Sequence, residues 1–212
     1  TIEDRGIPLI NTLLNDSSFF NLNLTYMYWL EFISLLGVRT PQTIAEMIQS
    51  LKSSNIPIDQ ITSSEIPLFV CKSCWGSHIL LGDLQPMLLH APPGEIFISS
   101  DNPVVIHNSF LADKGFASGI RALGIVGVEI YLPISPKVIF ALIDRSLSSI
   151  ANSRSFIIDY VVTPEDLLKL NSFQIINAKE VVYFSDYTKS EHLLETLANS
   201  SSLSVTENQQ NA

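Results

Sequence analysis

The sequence is poor in cysteine and in positive charge, and both shortages narrow what the chain can be. Only two cysteines occur in 212 residues, Cys71 and Cys74, separated by Lys72 and Ser73. A closed zinc site needs about four ligands, and His78, His90, His107 and His192 fall into no paired spacing beside that pair. The sequence therefore assigns no metal site and names no cofactor. A redox pair would be expected at a helix start after a strand, and Val70 before the pair and Trp75-Gly76 after it give little of that context, so the thiols read as structural. The 12 Lys and Arg residues face 21 Asp and Glu, for a net charge of -9. That balance argues against general nucleic-acid binding and against an anionic membrane surface as partner. No apolar run reaches the roughly 18 residues of a spanning helix; the longest, Tyr26 to Val38, is interrupted by Glu31. No basic segment followed by an apolar one marks a signal peptide, and the expectation is a soluble, cytoplasmic protein. Also missing are a Gly-x-Ser-x-Gly elbow, a P-loop, a His-Glu-x-x-His pair and a Gly-x-Gly-x-x-Gly turn.

What is present suits a packed α+β domain. The chain is 46% hydrophobic, enough to bury a core at this length. Ile2, Leu9, Ile10, Leu13 and Leu14 recur at helical spacing, Leu24 to Leu36 is apolar nearly all round, and Thr40-Pro41 restarts a helix as N-cap and first position. From about Ile66 the pattern changes to short apolar runs between Gly, Pro and polar breaks, which is strand patterning. Those runs are 67–70, 79–81, 87–89, 96–98, 104–106, 126–132, 138–143, 156–162 and 181–184. Between them, Asn108 to Gly124 reads as a long ordered loop of the kind that often carries function. Thr163-Pro164-Glu165-Asp166 is a helix start, with Leu167, Asn171, Gln174 and Ala178 on one stripe. Helices first and strands after predict an N-terminal helical layer packed on a mixed, mostly antiparallel sheet, with a C-terminal helix over 164–178. One domain is expected over 1–198, with a further short helix over 190–198 and a disordered polar tail over 199–212.

The chain turns on residues 94–107, where Ile96 to Ile98 and Val104 to Ile106 flank Ser99-Ser100-Asp101-Asn102-Pro103. Asp and Asn bond the backbone just ahead of them, and Pro103 donates nothing, so a carboxylate is placed where strand gives way to loop.

Four stretches in order carry a family resemblance: Val38-Arg39-Thr40-Pro41, Phe97 to Val104, Leu132-Pro133-Ile134-Ser135-Pro136-Lys137, and Leu170-Asn171 through Gln174 to Ala178 ahead of Val182-Tyr183. Over about Ile2 to Asp186 the chain resembles the widespread microbial domain-of-unknown-function family 4238. The resemblance implies an architecture and candidate positions rather than a reaction. It also implies an opening segment like His-Tyr-Val-Pro, which is not found ahead of Thr1, so the chain is expected to diverge at its start or to be a fragment.

Two readings of the polar residues stay open. In the first, Asp101 and Asn171 are catalytic and Arg39, Asn102, Ser135 and Gln174 bind substrate. An Arg clamps an anionic group, an Asp acts as base, and an amide orients the substrate. That suits a hydrolase- or transferase-like enzyme or effector with a small phosphorylated or carboxylated substrate. In the second, Arg39 pairs with Asp101, the amides satisfy irregular backbone, and the protein is a non-catalytic module with a protein partner. Under either, Asn171 and Gln174 are expected to be buried and bonded to main chain near 99–103 or 133–136.

Overall fold

The structure, a computed structural model, describes residues 2–15, 23–53, 65, 66, 69, 72, 76–112, 114, 125–146 and 156–186. Cys71, Cys74, His192, most of the loop expected over 108–124, the helix expected over 190–198 and the polar tail lie outside the described residues. Three helices come first: α1 (Ile2–Asn15), α2 (Asn23–Val38) and α3 (Pro41–Ser53). Gly6 lets α1 cross α2, since a Cβ there would stand 2.2 Å from the Phe32 ring. Thr40 caps α3 as expected, its hydroxyl oxygen accepting the Thr43 N–H at 3.3 Å. No helix among the described residues is long and apolar enough to cross a membrane.

Among the described residues, seven strands follow: β1 (Gln85–His90), β2 (Ser99–Ser100), β3 (Val105–His107), β4 (Glu129–Ser135), β5 (Val138–Ile143), β6 (Ile158–Val161) and β7 (Val182–Tyr183). Five of them form one sheet in the order β3-β4-β5-β1-β6, antiparallel except for β1 with β6, and β2 pairs separately with β7. This is the α+β architecture that the pattern predicts. Helix α4 (Pro164–Asn177) starts at Thr163, whose hydroxyl oxygen accepts the Asp166 N–H at 3.1 Å.

The strands at the centre are buried on both sides because each side has its own helical cover. Leu88, Phe140, Leu142, Ile130 and Leu132 pack with Trp29, Leu30 and Ile33 of α2. Met87, Leu89, Ile139 and Ala141, at the alternate positions, pack with Leu167 and Leu170 of α4. Trp29 meets Phe140 edge to face at 5.3 Å between ring centres.

Three strand expectations fail. The run at 67–70 is helical at its described residue: Phe69, like Ile66 and Lys72, is in helix, and its N–H donates to Glu65 O at 2.9 Å. Ile79 to Leu81 belong to a 3-10 helix (Ser77–Leu81), with Leu81 buried and Ile79 and Leu80 exposed. Apolar runs this short fit a helical turn as readily as a strand. The run at 96–98 enters no strand ladder. β4 in turn does not stop at Pro133, because a register shift between Pro133 and Ser135 absorbs the missing N–H.

Candidate functional site

A buried segment with little ladder of its own must find other partners for its main chain, and residues 96–104, where only Ser99–Ser100 pair in a ladder, find several of theirs on α4. Asn171 accepts the Ile98 N–H at 3.0 Å through Oδ1 and donates to Ile96 O at 3.1 Å through Nδ2. One side-chain amide thus bonds the groups on either side of Phe97, as a residue of a parallel strand would. One turn on, Gln174 Nε2 donates to Pro103 O at 2.9 Å and Oε1 accepts the Ser100 hydroxyl at 3.0 Å. Asn177 Nδ2 donates to Asn102 O at 2.6 Å and to Val104 O at 3.3 Å. Asn171 is 0% and Gln174 1% exposed, so both expected amides are buried against main chain. Asn171 reaches the residues just ahead of 99–103, and Gln174 reaches that turn itself.

Asp101 holds the same segment from its other side. Its Oδ1 accepts the Lys179 N–H at 3.0 Å and Oδ2 the Glu180 N–H at 2.9 Å, while its own N–H donates to Val181 O at 3.0 Å. The Lys179 N–H, helped by that of Glu180, keeps the carboxyl below its usual pKa against the cost of desolvation. Arg39 lies exposed at the end of α2, and both carboxylate oxygens of Asp101 engage main chain in place of the expected ion pair. Asn102 is buried, with its N–H on the Ser100 hydroxyl and its side-chain oxygen without a hydrogen-bond partner. Ser135 stands apart from these residues, its hydroxyl oxygen accepting the Lys137 N–H at 3.2 Å. The structure therefore brings together Asp101, Asn102, Asn171 and Gln174, but neither Arg39 nor Ser135 reaches the carboxylate.

The braced segment forms one wall of an open groove of about 320 Å³, lined by residues 97–99, 133–136 and 183–185. Its lining is mostly apolar, with Phe97, Pro133, Ile134, Tyr183 and Phe184, and it includes Ser135. Tyr183 is 56% exposed.

A second polar cluster escapes sequence reasoning. The pairing of β3 with β4 sets His107 opposite Glu129, and α4 brings Lys169 and Phe173 over that edge. Ser109 donates to Glu129 Oε2 at 2.9 Å, and Lys169 Nζ approaches Ser109 Oγ at 3.4 Å. Phe173 lies 4.4 Å from the His107 ring and 6.1 Å from the Tyr131 ring, centre to centre, and Lys169 Nζ stands 5.7 Å from its own centre. Burial first, then the nearby charge of Glu129, push the Tyr131 hydroxyl well above its usual pKa. The only local signal is Asn108, whose Oδ1 accepts the Leu111 N–H at 3.0 Å while Nδ2 donates to Val126 O at 3.0 Å. Among the described residues, no group of three or more His, Cys, Asp or Glu side chains is placed to hold a metal ion.

The family model for proteins of unknown function DUF4238 matches residues 1–188. The chain belongs to this family. No curated protein and no solved structure matches it. In this DUF4238 chain, the four stretches that carry the resemblance converge on 96–104. Phe97 to Val104 is the braced segment itself, Leu170 to Ala178 supplies the amides, and Leu132 to Lys137 contributes the 133–136 part of the groove lining. The turn at Val38 to Pro41 follows Gly37, where an added Cβ would lie 3.3 Å from Val104 Cγ1.

Proposed function

We propose that this protein is a binding module whose groove takes a short extended segment of a partner protein, and that Asp101, Asn171 and Gln174 are braces that keep one wall of the groove rigid. The observation that carries this reading is that both amide ends of Asn171 are engaged and wholly buried. An amide in that state cannot orient a substrate, and catalysis at Asp101 would require its carboxylate to leave Lys179 and Glu180. A groove with an apolar, ring-bearing lining and a two-stranded sheet beside it suits an extended apolar peptide, with pockets for alternate side chains. A rigid wall favours such binding by lowering the ordering cost on association. On its acidic composition we place the module in solution in the cytoplasm.

Random-peptide display on the full chain tests the reading. The expected result is a set of peptides with apolar residues at alternate positions that lose binding to the Tyr183→Ala variant. Failure to select any peptide, or selection of peptides indifferent to that change, overturns it.

A further inference from the structure

Ser109 is the first residue of a single helical turn (Ser109–Ala112), and it is not what caps that turn. Asn108 does so, its side-chain oxygen accepting the Leu111 N–H. The Ser109 hydroxyl is thus free of any local structural duty, yet it is held at 2.9 Å from a carboxylate on a different element. That carboxylate, Glu129, is half-buried and forms no ion pair among the described residues. It accepts the Ser109 hydroxyl, and Tyr131 stands two residues on along the same strand. Lys169 approaches the same hydroxyl from α4 at 3.4 Å and stands over the Phe173 ring. A nucleophile within hydrogen-bond reach of a base, with a cation beside the nucleophile, supplies two of the parts that covalent catalysis uses.

We propose that Ser109, Glu129 and Lys169 form an acyl-transfer site acting on carboxylic esters, distinct from the braced groove. Ser109 Oγ bonds to the ester carbonyl carbon while Glu129 takes the hydroxyl proton, and the carbonyl electron pair moves onto oxygen. Collapse of that intermediate breaks the bond to the alkoxy leaving group, which takes the proton from Glu129 and departs as the alcohol. Water then attacks the acyl-Ser109 carbonyl, Glu129 again takes the proton, and breaking the Oγ–carbon bond returns that proton to Ser109 and releases the acid. Lys169 supplies positive charge beside Oγ as the nucleophile forms and as negative charge develops on the substrate.

The test is labelling of the full chain with an alkyl fluorophosphonate, followed by intact mass measurement and peptide mapping. The expected result is one adduct on Ser109, absent from Ser109→Ala and formed roughly a hundredfold more slowly by Glu129→Gln. Should circular dichroism show that Glu129→Gln is not folded, Lys169→Met, a change at an exposed helical position, takes its place and is expected to label several-fold more slowly. No adduct, an adduct that survives Ser109→Ala, or an unchanged rate in the folded variant overturns the proposal. The outcome is independent of peptide binding, because no residue of this cluster lines the groove.

Discussion

Helices α2 and α4 cover opposite faces of the same sheet, yet one is apolar where it packs and the other carries three buried amides. α2 turns Trp29, Leu30 and Ile33 inward onto strands whose N–H and C=O groups already pair with one another. Nothing polar is asked of it. α4 packs Leu167 and Leu170 in the same way where it lies over β1 and β5. Where it meets 96–104, which has only a two-residue ladder of its own, Asn171, Gln174 and Asn177 replace the leucines. The chemistry of a covering helix therefore follows from how fully the layer beneath it satisfies its own backbone. A regular strand accepts an apolar cover, and an irregular one needs hydrogen bonds from the cover.

The largest effect should come from the apolar side. Phe140 is 1% exposed and sits against Trp29, so Phe140→Ala removes a ring that the helix and sheet cannot close over. Loss of about 3–5 kcal/mol is expected in urea denaturation. A loss below about 1 kcal/mol would mean that this face repacks freely, and the contrast with α4 would lose its rigid half.

On the amide side, Asn171→Leu keeps nearly the same size but strips partners from Ile98 N–H and Ile96 O. Each is a buried main-chain group, and the expected cost is about 1–3 kcal/mol, seen as a lower urea midpoint at unchanged slope. More apolar surface would be buried in the variant, so burial alone predicts the opposite sign. An unchanged midpoint would break the comparison, because it would show that 96–98 can satisfy itself without α4.

Much of this contrast was legible beforehand, and what was not had a physical reason. Thr163-Pro164 fixes where α4 starts, and spacing from Leu167 then sets Asn171 and Gln174 inward. Past Gln174 a period of 3.6 permits a step of four to Ala178 or of three to Asn177, and the carbonyls of Asn102 and Val104 favour the amide at three. β5 matches its apolar run from Val138 to Ile143 residue for residue, because a strand buried on both faces is continuous in sequence. The pairing expected between Arg39 and Asp101 rested on charge alone, and sequence carries no record that two backbone N–H groups after α4 would reach that carboxylate first. The Ser109 cluster joins residues 20 and 60 positions apart, and only the β3–β4 register together with the packing of α4 makes them neighbours.

The smallest effect concerns Asp101, which braces the same segment by charge rather than by a buried amide. Its carboxylate is reached by solvent, so screening limits what it contributes. The Lys179 and Glu180 N–H groups hold its folded pKa below the ordinary value. A carboxyl depressed in this way adds stability that is complete above the unfolded pKa, near 3.9, and is lost as pH falls through the folded one. Asp101→Asn, whose amide oxygen can accept one of the two N–H groups, should therefore lower the melting temperature slightly at neutral pH, with the difference from the unmodified chain closing in acid. The acid limb itself should persist in the variant, because Asp144 is held low in the same sense: the N–H groups of Gly127 and Ser146 and the Ser146 hydroxyl outweigh its desolvation. Melting curves of both chains through the acid range measure this. A difference that stays constant as the carboxyl protonates would show that the side chain braces 96–104 by shape, as the amides do, and that its charge is incidental.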